Sequence, residues 1–276
     1  MIGCGIIRPT TLRNSLLPTA PLGKVAPHLR AFLAVLSSHT EIMASVPTGE
    51  WLDIDVKELA EAEKDLIYSS GHSHVYKYKN RYAVKHVANK PELDMMQLAG
   101  DCSITPCGRI FKKGHQVGII MELGKPIDIT CLDLQEKRTL ATKLIALVDS
   151  LHAKGLLHGD IRLAHVLVAQ DGNIRFCDFG GSQRELTSTA PESQTLNWIS
   201  PFRLRNLDLP LRKEDDLYAL GLTIWELYTG KIPFEGLSED KVEERIMADE
   251  CVDISEIGDS DMRKTVEMYL ARGNAG

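Results

Sequence analysis

Residues 158–180 read HGDIRLAHVLVAQDGNIRFCDFG, and the organisation of the whole chain can be read outward from them. His158-Gly159-Asp160 precedes a short apolar run, Val166-Leu167-Val168. A turn signal, Asp171-Gly172-Asn173, then separates that run from a second one, Ile174-Arg175-Phe176, which leads into Asp178-Phe179-Gly180. Two short runs joined by an Asp-Gly-Asn turn predict a tight hairpin. Its two ends carry the acids Asp160 and Asp178, 18 positions apart. A catalytic base and a metal ligand converge in such a place. Phosphoryl transfer asks for little covalent chemistry, but it needs Mg²⁺ on the phosphates and an acceptor hydroxyl held in line.

Before this stretch the chain is strand-rich. Short β-type runs at Ile67–Tyr68, Val75–Tyr78, Tyr82–Val87, Ile110–Phe111 and Val117–Met121 are separated by Gly, Asn and Lys-Gly turns. Residues 55–66 read as a helix with Val56, Leu59 and Leu66 near one face, and a second helix is expected to start near Pro91. Beyond Met121 the pattern is helical. Leu140, Leu144, Ile145, Leu147, Val148 and Leu151 share one apolar face, and residues 216–228 are apolar nearly all round, as in a helix buried on every side. Strands followed by helices predict an α+β fold.

Composition narrows the function classes. A chain of 276 residues, 43% hydrophobic and 25% charged, can bury a large core. The formal net charge of −6 and the lack of a Lys/Arg run speak against nucleic-acid binding. No apolar stretch approaches the ~20 residues of a membrane-crossing helix. Six cysteines without paired spacing exclude a zinc or disulfide framework and point to an intracellular, cytoplasmic setting. Residues 1–50 differ in character: no acidic residue precedes His39, while Arg8, Arg13, Lys24 and Arg30 lie among Ser, Thr and Pro. This segment is expected to be a disordered extension. Its composition overlaps with that of a mitochondrial transit peptide, although four prolines from Pro9 to Pro27 interrupt the amphipathic helix that import uses.

Residues 60–270 resemble the protein kinase family. His158-Gly159-Asp160 through His165 follows the catalytic loop H-R-D-x-x-x-x-N, Asp178-Phe179-Gly180 is the D-F-G, and Ala83-Val84-Lys85 looks like the strand that ends in the ATP-anchoring Lys. Met121-Glu122-Leu123-Gly124 resembles the gatekeeper and hinge. Thr195 to Pro201 resembles the peptide-positioning end of the activation segment, and Asp216 to Leu227 resembles the central helix of the large lobe. The resemblance implies a small β-rich lobe over 51–123 and a larger helical lobe over 124–276. It implies Asp160 as the base, with Lys85 and Arg162 on the phosphates and Glu92 as the partner of Lys85. Val75, Ala83, Glu122, Leu123 and Leu167 would surround ATP, and Asp178 with His165 would hold Mg²⁺. Asp216 would accept hydrogen bonds from the catalytic-loop backbone, and His158 would pack in the core.

Several positions depart from the family pattern. The glycine-rich loop aligns with Tyr68 to Val75, and none of its three glycines falls in register, which loosens the grip on phosphate. His165 stands where an Asn supplies an oxygen to metal, and imidazole suits Mg²⁺ poorly. Gly159 replaces the Arg that clamps a phosphorylated activation loop, so phosphorylation at Thr187, Ser188 or Thr189 is expected to matter little. Phe202 takes the Glu position of A-P-E, and the helix that supplies that Glu with an Arg is expected to lie beyond Gly276, leaving a truncated large lobe. Three readings stay open. Thr195 and Arg162 favour a kinase acting on Ser/Thr of a protein. The missing glycines and His165 favour a pseudokinase, a nucleotide-binding or interaction scaffold. The H-G-D loop and the short Lys-to-Glu spacing also match small-molecule phosphotransferases of the aminoglycoside and choline type.

Overall fold

The computed structural model describes residues 51–61, 65–69, 74–86, 90–191 and 194–274. The transit-peptide reading, and residues 70–73 of the loop aligned with the family's glycines, fall outside these residues.

A six-stranded sheet forms the small lobe. Its strands are β1 (Leu52–Asp55), β2 (Asp65–Ser69), β3 (His74–Tyr78), β4 (Tyr82–His86), β5 (Pro106–Lys112) and β6 (His115–Glu122), in the order β1-β5-β6-β4-β3-β2. Every pairing is antiparallel except β1 with β5, which run parallel. Side-chain alternation gives the sheet two apolar faces. On β4, Val84 turns to one face, where it joins Tyr78, Ile110 and Ile120 beneath Leu59 of helix α1 (Val56–Glu61). Ala83 and Lys85 turn to the other face, which lines a cleft. Helix α2 (Lys90–Ala99) packs on that side through Leu93 and Met96.

The helix expected over 55–66 is shorter than its periodicity suggested. It ends at Glu61, and Asp65 and Leu66 pair with Lys77 and Tyr76 in the sheet. Cross-strand hydrogen bonding has overridden a weak helical preference. Strand β1 was not anticipated from the sequence.

In the large lobe, α3 (Leu134–Ala153) starts at a capping box in which Asp133 and Glu136 exchange backbone hydrogen bonds. Its apolar face of Leu140, Leu144, Leu147, Val148 and Leu151 is buried, as the spacing predicts. Strand β7 (Lys125–Pro126) pairs with β9 (Val166–Val168), which forms the hairpin with β10 (Ile174–Phe176), and β8 (Leu156–Leu157) pairs separately with β11 (Gln183–Arg184). Helices α4 (Pro201–Arg205), α5 (Lys213–Thr229), α6 (Glu239–Met247) and α7 (Ser260–Asn274) complete the lobe. Helix α5 is buried along most of its length, with Glu214, Asp215 and Asp216 at the positive end of its dipole and Gly230 as a left-handed C-cap. Helix α7 crosses it closely because Gly273 has no side chain; a Cβ there would lie 2.3 Å from that of Tyr218. Among the described residues no helix is long and apolar enough to cross a membrane.

Candidate active site

Lys85 reaches across the cleft from the end of β4. Its Nζ lies 2.6 Å from Glu92 Oε1 and 2.7 Å from Asp178 Oδ1, so one ammonium bridges the helix α2 and the Asp-Phe-Gly turn. Seven residues suffice to connect the pair because α2 begins only four residues after β4 ends. Burial works against the ammonium, yet the two carboxylates beside it hold the pKa above that of an ordinary Lys. Glu92 is almost completely buried. Burial pushes its pKa up, against the downward pull of Lys85 and of the Phe179 backbone N–H. Asp178 is the more exposed carboxylate. Burial raises it, but the Lys85 ammonium beside it outweighs burial and holds it at about 2. It is therefore ionised throughout the neutral range. Its backbone sits at φ 63°, a left-handed conformation rare for a residue with a side chain and found where structure over-determines it.

The loop before the hairpin is built around Asp216 at the start of α5. Its carboxylate accepts the backbone N–H groups of His158 and Gly159, both at 2.8 Å, and His152 Nε2 lies 2.9 Å away. His158 is fully buried between Phe176 and Phe179, with ring centroids 4.7 and 5.0 Å away. Asp160 is thereby presented with Oδ2 accepting from Thr195 Oγ1 at 3.1 Å, while Arg162 Nε lies 3.9 Å from the same oxygen. Gly159 adopts φ 81°, and a Cβ there would fall 2.7 Å from Leu211 Cδ1 and 2.8 Å from the Gly181 carbonyl. The departure from the family's Arg is thus also a backbone requirement in this chain. Gly159→Ala is expected to cost about 2 kcal/mol and to lower the melting temperature by roughly 5 °C. A thermal melt that superimposes on the wild type would contradict this.

His165 was expected as a metal ligand, and both its ring nitrogens are engaged by the protein. Nδ1 lies 2.8 Å from the carbonyl of Asp160, which can only accept, and Nε2 lies 3.0 Å from Arg162 Nη2, which can only donate. Burial lowers the imidazole's pKa, so the ring is the neutral Nδ1–H form with its lone pair turned to Arg162. That lone pair is spent on the guanidinium. Arg162 is held in turn, with its guanidinium 5.7 Å from the Trp198 ring.

The cleft has a volume of about 200 Å³. Val75, Ala83, Lys85, Leu123, Leu167, Arg162, His165 and Asp178 all line it, with Met121 and Gly124 of the hinge. Glu122 contributes to the wall, but its carboxylate turns away from the cleft into a network that the sequence did not reveal. Its Oε1 accepts from Thr105 N at 2.9 Å, Thr105 Oγ1 at 2.7 Å and Arg175 Nη1 at 2.6 Å. Arg175 also pairs with Asp171 of the hairpin turn, so the hinge is tied to the large lobe by one guanidinium. The amides of Glu122 and Leu123 donate to Thr105 O and Arg81 O, both at 2.9 Å. Neither N–H can meet a ligand in this conformation. Phe202 meets another cation: Arg212 stacks over its ring at 3.5 Å.

The sequence-predicted groups therefore divide three ways. Lys85, Glu92 and Asp178 form one ion-paired cluster, Asp160, Arg162 and His165 form a second beside it, and Val75, Ala83, Leu123 and Leu167 supply apolar walls. Arg175 and Thr105 were missed, since nothing near either marks a tie to a Glu far along the chain. Among the described residues, no group of three or more His, Cys, Asp or Glu side chains is placed to cage a metal ion.

Comparison with known proteins gives a consistent result. The model of the protein kinase domain matches residues 59–270. The probable serine/threonine-protein kinase PknB of Lactococcus lactis is 32% identical over 101 residues, covering 35% of this chain and 16% of that protein. The mitogen-activated protein kinase kinase kinase dlk-1 of Caenorhabditis elegans is 25% identical over 167 residues, covering 56% of this chain and 17% of that protein. The chain thus spans less than a fifth of the length of these curated relatives. In fold, it is similar to the Cydia pomonella granulovirus kinase PK-1, with a TM-score of 0.59 at 20% identity over 79% of this chain and 90% of that one. With its two lobes, the cleft between them and a match to the greater part of its length, the chain belongs to the protein kinase domain family.

Proposed function

We propose that this chain transfers the γ-phosphoryl group of ATP to a Ser or Thr hydroxyl of a protein substrate. The observation that carries the reading is the bridge Glu92–Lys85–Asp178, which sets an ammonium and an ionised carboxylate on one wall of the cleft with Asp160 nearby. Lys85 binds the α- and β-phosphates, and Glu92 keeps it from collapsing onto Asp178 alone. Asp160 accepts the proton of the substrate hydroxyl as that oxygen bonds to phosphorus and the bond to ADP breaks. Thr195 and Arg162, at the edge of the same site, support Ser/Thr over Tyr as acceptor. Val75, Ala83, Leu123 and Leu167 flank adenine, and the Gly124 amide is the hinge donor we assign to it, because those of Glu122 and Leu123 are committed elsewhere.

Magnesium binds proteins through one or two carboxylates and the substrate's phosphates, and keeps several waters. Asp178 fits that pattern: it is ionised, partly exposed and directed into the cleft. His165 does not fit, because its lone pair is engaged. One Mg²⁺ held by Asp178 would neutralise charge on the phosphates, and a second all-protein site is not expected. The domain is assigned to residues 51 onward, with the small lobe over 51–123. An intracellular setting is supported by Cys102, Cys107, Cys131, Cys177 and Cys251, all free thiols.

The pseudokinase reading draws support from His165 and from the loop without aligned glycines. Two measurements on the full chain separate the readings. With ATP and Mg²⁺ at about a hundredfold over Kd, ligand linkage adds ~2.7 kcal/mol, expected as a rise in melting temperature of roughly 5–10 °C. Label from γ-labelled ATP is then expected on Ser or Thr of a protein substrate, only when Mg²⁺ is present. A thermal shift without transfer would favour the scaffold, and neither signal would remove the nucleotide site from the proposal.

A further inference from the structure

Arg203 is fully buried on α4, one position beyond the Phe that replaces the family's Glu. A guanidinium has five N–H donors, and four of these are accounted for here. Nη1 donates to Pro210 O at 3.0 Å and lies 3.5 Å from Asp215 Oδ2, while Nη2 donates to Asn206 O at 2.7 Å and Leu209 O at 2.6 Å. The fifth, on Nε, is buried with no partner among the described residues. The same holds for Trp198 Nε1 and for Asp160 Oδ1. These three side chains, from the catalytic loop, the activation segment and α4, line one cavity of about 10 Å³.

An orphaned buried donor or acceptor costs about 1–3 kcal/mol, so three around one cavity call for a common partner. The volume is that of one water, and buried waters make about three hydrogen bonds. The roles also match in number and sign. Two N–H groups need an acceptor and one carboxylate oxygen needs a donor. A water accepts twice and still has an O–H for Asp160.

We propose that the cavity walled by Asp160, Trp198 and Arg203 is a binding site for a single ordered water, which joins the carboxylate of Asp160 to the α4 segment. The site is a property of the protein without nucleotide, so it stands or falls independently of phosphoryl transfer. It also gives the Arg203–Asp215 pair a consequence: by fixing the guanidinium on α5 it holds Arg203 in the wall of the cavity that Asp160 also lines.

The test uses the full chain labelled with ¹⁵N at its three indoles, Trp51, Trp198 and Trp225. Rotating-frame cross-relaxation between each indole N–H and water separates a bound water from chemical exchange by the sign of the peak. Trp198 is expected to give the bound-water sign. Trp225 donates to Asp253 O at 3.0 Å and should give no peak, and the exposed Trp51 should give an exchange peak. Trp51→Phe identifies the exposed indole, which leaves two signals that behave oppositely. Arg203→Lys keeps a cation for Asp215 but has no donor at the position of Nε, and is expected to abolish the Trp198–water peak while the indole signal persists. Two protected indoles without a water peak in the wild type would overturn the proposal, as would an unchanged peak in a folded Arg203→Lys. A crystal structure with Arg203 Nε in direct contact with Asp160 would overturn it too, whereas density about 3 Å from all three atoms would support it.

Discussion

Lys85→Met is expected to melt about 10 °C below the wild type near pH 8, and by clearly less near pH 5. Removing one partner of a buried ion pair costs about 3–5 kcal/mol, because the other charge stays behind unpaired. For a domain of this size each kcal/mol corresponds to roughly 2–4 °C. The stranded charge is Glu92, since Asp178 is the carboxylate that water can reach. The pH dependence follows from the direction of the Glu92 shift. Burial already raises its pKa above 4.5, and Lys85 supplies the largest downward pull. Without Lys85 the folded-state pKa rises further. A carboxyl with a raised folded-state pKa leaves stability intact below its unfolded value, and stability is lost as pH climbs through the folded value. The variant therefore recovers in mild acid, where Glu92 takes up a proton and sits in the core as a neutral acid. Asp178 contributes the opposite sense in the wild type: held at about 2 by Lys85, it stabilises the fold above its ordinary pKa, and this contribution goes with the Lys. The same variant should lose the thermal shift with ATP. A melting deficit constant from pH 5 to pH 8 would mean that Glu92 has left the core, and the bridge would not be the organising feature of the site.

How far the sequence alone could have led depends on whether partners lie close together in the chain or share a fixed chemistry. The hairpin over 166–176 was legible because a turn signal sits between two apolar runs, and α5 because it is apolar on all sides. Lys85, Asp160 and Asp178 stood out because each lies in a short motif that resembles the protein kinase pattern, and the structure groups Lys85 with Asp178 and sets Asp160 in the cluster beside them. Strand β2 was legible only at Ile67–Tyr68; its full extent was not, because every one of its side chains is exposed and no burial period marks its ends. The Glu122–Arg175 contact joins residues 53 apart, and no local pattern announces it. Position 202 shows a subtler limit. Read against the family, Phe202 is a lost charge. In the folded protein the cation–π stack with Arg212 and the neighbouring Arg203–Asp215 pair occupy the same region. A substitution read at one position says nothing of a replacement that has moved one residue along. His165 is the converse case: its identity as a poor Mg²⁺ ligand was plain, whereas its hydrogen bond to Arg162 needed coordinates.

Asp160→Asn is expected to slow phosphoryl transfer by about a thousandfold, within the 10²–10⁴ range of a positioned general base, and to leave the thermal shift with ATP and Mg²⁺ unchanged to within about 2 °C. The separation of the two effects is what the geometry requires. Lys85 and Asp178, the proposed nucleotide contacts, pair with each other, with Lys85 also paired to Glu92, and Asp160 belongs to the neighbouring cluster with Thr195, Arg162 and His165. Asparagine has the size of aspartate and keeps an oxygen able to accept from Thr195 Oγ1, so the loop can hold its shape around Asp216. It has lost the basic oxygen, and an amide does not take the proton from the incoming hydroxyl. The comparison also guards against a contaminating kinase, whose activity would be the same in both preparations. Transfer reduced by less than tenfold would remove Asp160 from the role of base. Loss of nucleotide binding together with transfer would mean that the two clusters form a single site, and that the assignment of phosphate contacts to Lys85 and proton uptake to Asp160 divides the labour in the wrong place.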